Sequence, residues 1–179
     1  MSSKTRALTK LERLNLEFDR VIQLIEPIDD LELVKKPTKD MWSVVQVFNH
    51  LYEVEQLSLD YLEYKELNGK PFPKVKFITK AKMIVYKIAL LSPLKFKKPQ
   101  NLSEPSNEGG LDSIQKEFEN LRIKFNEFVE RQDDTFFNTA SYKHTIVGRV
   151  NIETMFEFLR LHLKHHEKQI LRILIKIAK

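Results

Sequence analysis

Apolar positions recur with a helical period through most of the chain. Leu8, Leu11, Leu14, Leu16, Phe18, Val21, Ile22, Leu24 and Ile25 predict a helix from about Leu8 to Ile28, with Pro27 marking its end. Residues 1–7 read as a polar, frayed start, and 29–42 as a loop closing on Met41-Trp42. Ser43-Val-Val-Gln46 has the capping-box pattern, in which a hydroxyl and an amide satisfy helix-end groups reciprocally. It opens a helix that runs to about Asn68-Gly69, with Gly69 as C-cap. Phe77 to Leu91 reads as a basic amphipathic helix ended by Pro93 and Pro99, and 99–110 as a loop. Asp112-Ser-Ile-Gln115 offers a second capping box and a helix to about Arg131, with Ile114, Phe118, Leu121, Phe125 and Phe128 on its stripe. Residues 132–150 form a connector, and Asn151 N-caps a last helix reaching Lys179. The expected architecture is an all-α bundle of four long helices in one domain, 1–179, with the short basic helix as an addition.

Two of the periodic stripes carry an anomaly. On the last helix, at about 100° per residue, His162 and His166 fall among Met155, Leu159, Ile170 and Ile173. On the helix opened at Ser43, His50 is central to a stripe of Val47, Val54, Leu57 and Tyr61. An imidazole buried without a partner costs free energy, so each ring must be satisfied. A divalent metal does this for residues four apart on one helix face. Three neutral imidazoles with an open fourth position form a catalytic coordination pattern that suits zinc, nickel or iron. The alternative is a set of core histidines hydrogen-bonded to one another, to Gln46, Gln169 or Glu53, or to water.

Neighbouring polar residues have weaker claims. Gln169 lies on the same stripe and can orient an imidazole. Glu53, at the edge of the His50 stripe, is the candidate general base. His144 either lines the pocket or caps a turn in its loop. His165 points away from the other histidines and is half-exposed. Trp42 reads as a hydrophobic staple before the helix, and Tyr52 and Tyr61 as structural residues. The motifs H-E-x-x-H and E-x-x-H are both absent, which argues against a zincin protease and a di-iron carboxylate site.

Composition narrows the classes without choosing among them. The 179 residues are 42% hydrophobic and 31% charged, with four glycines, a balance that favours helix in a globular chain. No apolar run approaches the roughly 20 residues of a membrane span. The absence of cysteine removes disulfides, thiolate ligands and a cysteine nucleophile, and fits a cytoplasmic protein. A net charge of +5 is mild. From Lys70 to Ser103 there are nine lysines and no acidic residue, yet no base-reading motif accompanies them, so specific nucleic-acid binding is not expected. This segment could instead contact an anionic membrane surface or a partner, or steer anionic cofactors. Such a module, a non-catalytic helical dimer, is the alternative to an enzyme.

The order and spacing of Trp42-Ser43, His50-Leu51, His144-Thr-Ile-Val-Gly148 and His162-x-x-His165-His166-x-x-Gln169 resemble the DinB/YfiT-like superfamily over roughly residues 10–178. The resemblance implies a four-helix bundle, a homodimer, and a divalent metal on His50, His162 and His166. It also implies metal-dependent transfer of, or hydrolysis by, a small nucleophile: a low-molecular-weight thiol such as bacillithiol or mycothiol, or water. Two departures bear on the pocket. The loop reads His144-Thr145 where the family has His-Pro, and Lys70 to Lys98 looks like an insertion.

Overall fold

The computed structural model describes residues 1–68, 73–74, 104–144 and 146–178. The expected basic helix Phe77–Leu91 and the Gly69 cap lie outside these residues. The described elements are, in chain order, α1 (Ser3–Ile25), α2 (Asp30–Leu33), α3 (Val44–Leu67), α4 (Leu111–Glu130), a 3-10 turn (Phe136–Asn138), β1 (Tyr142–His144), β2 (Gly148–Val150) and α5 (Ile152–Ile177). The architecture is an all-α bundle in which α1, α3, α4 and α5 share one apolar core. Among the described residues no helix is long and apolar enough to cross a membrane.

Helix starts follow local chemistry in four cases and tertiary chemistry in one. The Ser43 hydroxyl accepts the Gln46 N–H at 3.1 Å, and Gln46 Oε1 accepts the Ser43 N–H at 3.2 Å, so the first capping box forms as expected. Asn151 Oδ1 accepts the Thr154 N–H at 3.1 Å and opens α5. At the N-terminus, Ser2 accepts the Thr5 N–H at 3.0 Å, and residues 3–7 are helical rather than frayed. The Ser2 cap precedes the first buried position, Ala7, by more than a turn, so apolar periodicity alone does not reach it.

The second capping box does not form. Helix α4 starts at Leu111 after Gly110, and Asp112 sits inside its first turn. The Leu111 N–H is instead accepted at 2.9 Å by Asp30 Oδ1, which belongs to α2. That helix occupies part of the expected 29–42 loop: Asp29 caps it, accepting the Leu31 N–H at 2.8 Å, and Leu33 is fully buried. A Cβ at Gly110 would lie 2.3 Å from Asp30 Oδ2, so only glycine admits this approach. One short helix thus supplies the carboxylate that starts another.

Within the core, Phe18 of α1 stacks on Phe118 of α4 at 4.3 Å, and Phe48 of α3 meets both rings edge-on. Arg122 and Glu55 form a buried ion pair between α4 and α3, and the Arg122 guanidinium lies 5.6 Å from the Phe118 centroid. Helices α1 and α5 run parallel in constant register. Arg6 pairs with Glu153, Lys10 with Glu157 and Arg20 with Glu167, each 147 positions apart. Glu17 and Lys164, at 2.8 Å, keep the same offset.

The connector 132–150 is more ordered than a loop. It carries the 3-10 turn, with Phe136 and Phe137 buried, and an antiparallel hairpin that pairs Tyr142 with Val150 and His144 with Gly148. Gly148 takes φ +93°, a left-handed conformation that a side chain would strain.

Candidate metal centre

Three helical turns bring three imidazoles together. His50 comes from the second turn of α3, and His162 and His166 from adjacent turns of α5. Ring centroids are 5.2 Å apart for His50 and His162, 5.0 Å for His50 and His166, and 4.5 Å for His162 and His166. One nitrogen of each ring lies within 4.8 Å of the others. His50 and His166 are buried, and His162 is partly so.

The polarity of the cluster fits a cation. Nε2 of His166 and Nε2 of His162 face each other at 3.0 Å. Gln169 Oε1 lies 2.8 Å from His166 Nδ1. A carbonyl oxygen can only accept, so Nδ1 holds the proton and Nε2 presents its lone pair inward. Burial pushes the His166 pKa down to about 3, and the proximity of His50 and His165 adds to this. Burial also holds His162 well below its ordinary value, with His166 and His50 contributing. Both rings are therefore neutral at pH 7, the form in which imidazole binds metal. Ligand nitrogens about 2.0–2.1 Å from a tetrahedral zinc ion stand about 3.3–3.4 Å apart. The His162–His166 pair at 3.0 Å is near that separation, and all three donor nitrogens lie within 4.8 Å of one another. The donor set and its geometry fit a divalent transition metal.

The other candidate residues are distributed differently. Gln169 reaches His166 as its helical spacing indicates. Gln46 does not face the rings: its Oε1 serves the capping box, and its Nε2 donates to Pro105 O at 2.9 Å and Glu104 Oε1 at 3.0 Å. Asn49 adds bonds to Ser106 O and Glu108 O, so the start of α3 straps segment 104–108 in place. The capping residue was committed to the helix start before it could serve the site. Glu53 is half-buried three residues after His50 and is not part of the cluster.

His144 is buried in β1, and its Nδ1 accepts the Ile146 and Val147 N–H groups at 3.1 and 3.2 Å. It caps the hairpin turn. Its ring also meets Phe158 edge-on at 4.3 Å, and Phe158 stacks on His162 at 5.6 Å, so the hairpin buttresses one ring of the triad. His165 is half-buried beside His166, at 5.2 Å, outside the cluster of three.

Two aromatic contacts escape a reading of the sequence. Trp42, a staple by its position, has its ring 5.3 Å from that of His50. Phe158, an ordinary member of an apolar stripe, forms a wall against His162. The only signal for Phe158 is its place four residues before His162 on one face. The place of Trp42 directly before the Ser43 cap marks it as a staple, but not as a neighbour of His50, which lies two turns into the helix.

The profile of the DinB superfamily matches residues 13–170, a span that includes all three histidines. No curated protein and no solved structure matches the chain.

Proposed function

The chain belongs to the DinB superfamily, and from that membership and its converging imidazoles we propose that it is a metal-dependent enzyme whose ligands are His50, His162 and His166. The observation that carries this reading is the meeting of three ring nitrogens, from two helices, within 4.8 Å. The ion is zinc, nickel or iron. When bound, it supplies Lewis acidity that lowers the pKa of a coordinated water or thiol toward neutrality. The proposed nucleophile is a low-molecular-weight thiol of the bacillithiol kind, or water, acting on a small electrophile.

The chain's own residues have distinct parts in this scheme. Gln169 accepts the Nδ1–H of His166 and so aims its Nε2 lone pair at the centre. Burial keeps His162 and His166 neutral, so no proton has to be displaced at pH 7. Trp42 and Phe158 flank the rings and exclude water from two sides, which strengthens electrostatic interactions inside.

Elemental analysis of purified, tag-free protein tests the ligand set. About one equivalent of metal is expected, and it is lost in His50→Ala and in the His162→Ala/His166→Ala double variant. Metal retained by either variant, or none bound after incubation with zinc, nickel and ferrous salts, overturns the assignment. Thiol-dependent turnover of model electrophiles by the loaded protein, absent from the double variant, tests the chemistry.

A further inference from the structure

The parallel seam between α1 and α5 is missing one charge match. The offset of 147 positions places opposite charges face to face at Arg6/Glu153, Lys10/Glu157, Glu17/Lys164 and Arg20/Glu167. The same offset places Arg13 opposite Arg160, between the second and third of these pairs. Like charges in facing positions repel, so this rung works against the seam that contains it.

Nearby carboxylates do not relieve it. Glu17 is one turn beyond Arg13, but its oxygens already accept from Arg20 at 3.2 Å, Arg160 at 3.2 Å and Lys164 at 2.8 Å. Glu157 serves Lys10 and Arg160, and Glu167 serves Arg20. Around this rung Lys10, Arg20, Arg160 and Lys164 share the carboxylates of Glu17, Glu157 and Glu167, and Arg13 adds a further positive charge. Among the described residues no carboxylate pairs with Arg13. Arg160 Nε, shielded from solvent, has no hydrogen-bond partner.

A cavity of about 380 Å³ opens at this rung, lined by Arg13, Leu16, Glu17, Arg20 and Arg160. We propose that it binds the dianionic phosphate group of a small molecule or the free ion. Arg13 and Arg20 supply the guanidinium donors, since Arg20 uses one nitrogen for both of its carboxylate bonds. Arg160, held by Glu17 and Glu157, completes the lining. Guanidinium groups suit this ligand because their planar, always charged forks match phosphate oxygens. Leu16, 62% exposed, offers an apolar rim to an organic substituent. Arg160 lies two residues before His162, about 200° around α5, so the cavity is on the outer side of the helix whose inner side carries the triad. It is separate from the metal centre.

Calorimetric titration of full-length, metal-stripped protein tests this, with inorganic phosphate and phenyl phosphate at constant ionic strength. Saturable one-to-one binding is expected, weakened roughly tenfold or more in Arg13→Gln. That variant alters an exposed, unpaired side chain, and circular dichroism verifies its fold. Binding by the His162→Ala/His166→Ala protein should be unchanged. Tighter binding of phenyl phosphate identifies an organic monoester as the ligand, and equal or weaker binding identifies the free ion; both uphold the site. No saturable binding, binding unaffected by Arg13→Gln, or binding lost with the two histidines overturns it.

Discussion

At the scale of single residues, the buried histidines show how one side-chain type serves two purposes. His166 is oriented by Gln169 toward other imidazoles, whereas His144 spends its Nδ1 lone pair on two backbone N–H groups of a turn. Burial pushes the His144 pKa down to about 4. The unfolded chain takes up that proton near pH 6.5, so between these values the unfolded state binds more protons than the folded one. Stability from this residue is therefore complete above about pH 6.5 and declines as pH falls toward 4, by roughly 3 kcal/mol at most. Protonation would also remove the lone pair that holds the turn. Urea unfolding of the metal-free protein from pH 7 to 4 should show the decline. In His144→Asn, whose side-chain oxygen can cap a similar turn, the slope should be shallower by about that amount. An equal slope in the variant would mean that His144 does not control it.

At the scale of elements, charged groups join helices wherever apolar stripes alone leave their relative placement open. Asp30 of α2 starts α4, the seam fixes the register of α1 on α5, and Glu55 ties α3 to Arg122 of α4. The last pair is the most deeply buried, with side-chain exposures of 3% and 11%. Removing one partner strands the other charge in the core, so Glu55→Ala should cost about 3–5 kcal/mol in urea unfolding. The double variant Glu55→Leu/Arg122→Met should recover most of that loss, because a well-packed apolar pair can replace a buried ion pair at little cost. Failure of the double variant to recover would show that the aromatic contacts of Arg122 with Phe18 and Phe118 matter more than its charge.

At the scale of the whole molecule, the triad connects helices that are remote in sequence, since His50 belongs to α3 and the other two histidines to α5. A metal held by all three would bind the folded chain and not the unfolded one. At free metal a hundred times the Kd, that linkage adds about 2.7 kcal/mol. For a chain of this size, scanning calorimetry should register a Tm rise of about 5–10 °C over the chelated protein. The His50→Ala variant should lose most of the difference. A Tm indifferent to chelation would mean that no metal joins the two helices.

The four long helices, the Ser43 capping box, the Asn151 cap and the three anomalous histidines were legible in the sequence, because each depends on residues within a few turns of one another. Helical periodicity and local capping chemistry suffice for these. The sequence also carried the family, through the spacing of His50, His144 and the final histidine cluster. What it could not decide were choices between local and distant partners for the same group. Asp112 has the local pattern of a cap, but Asp30 reaches the helix start first. Gln46 has the polarity to orient a histidine, but its amide is taken by the cap and by segment 104–108. Trp42 meets His50 across the start of α3, and Arg13 faces Arg160 only because α1 and α5 are parallel in one register. A side chain has few hydrogen bonds and one direction to offer, and only the packed bundle determines which competitor receives them.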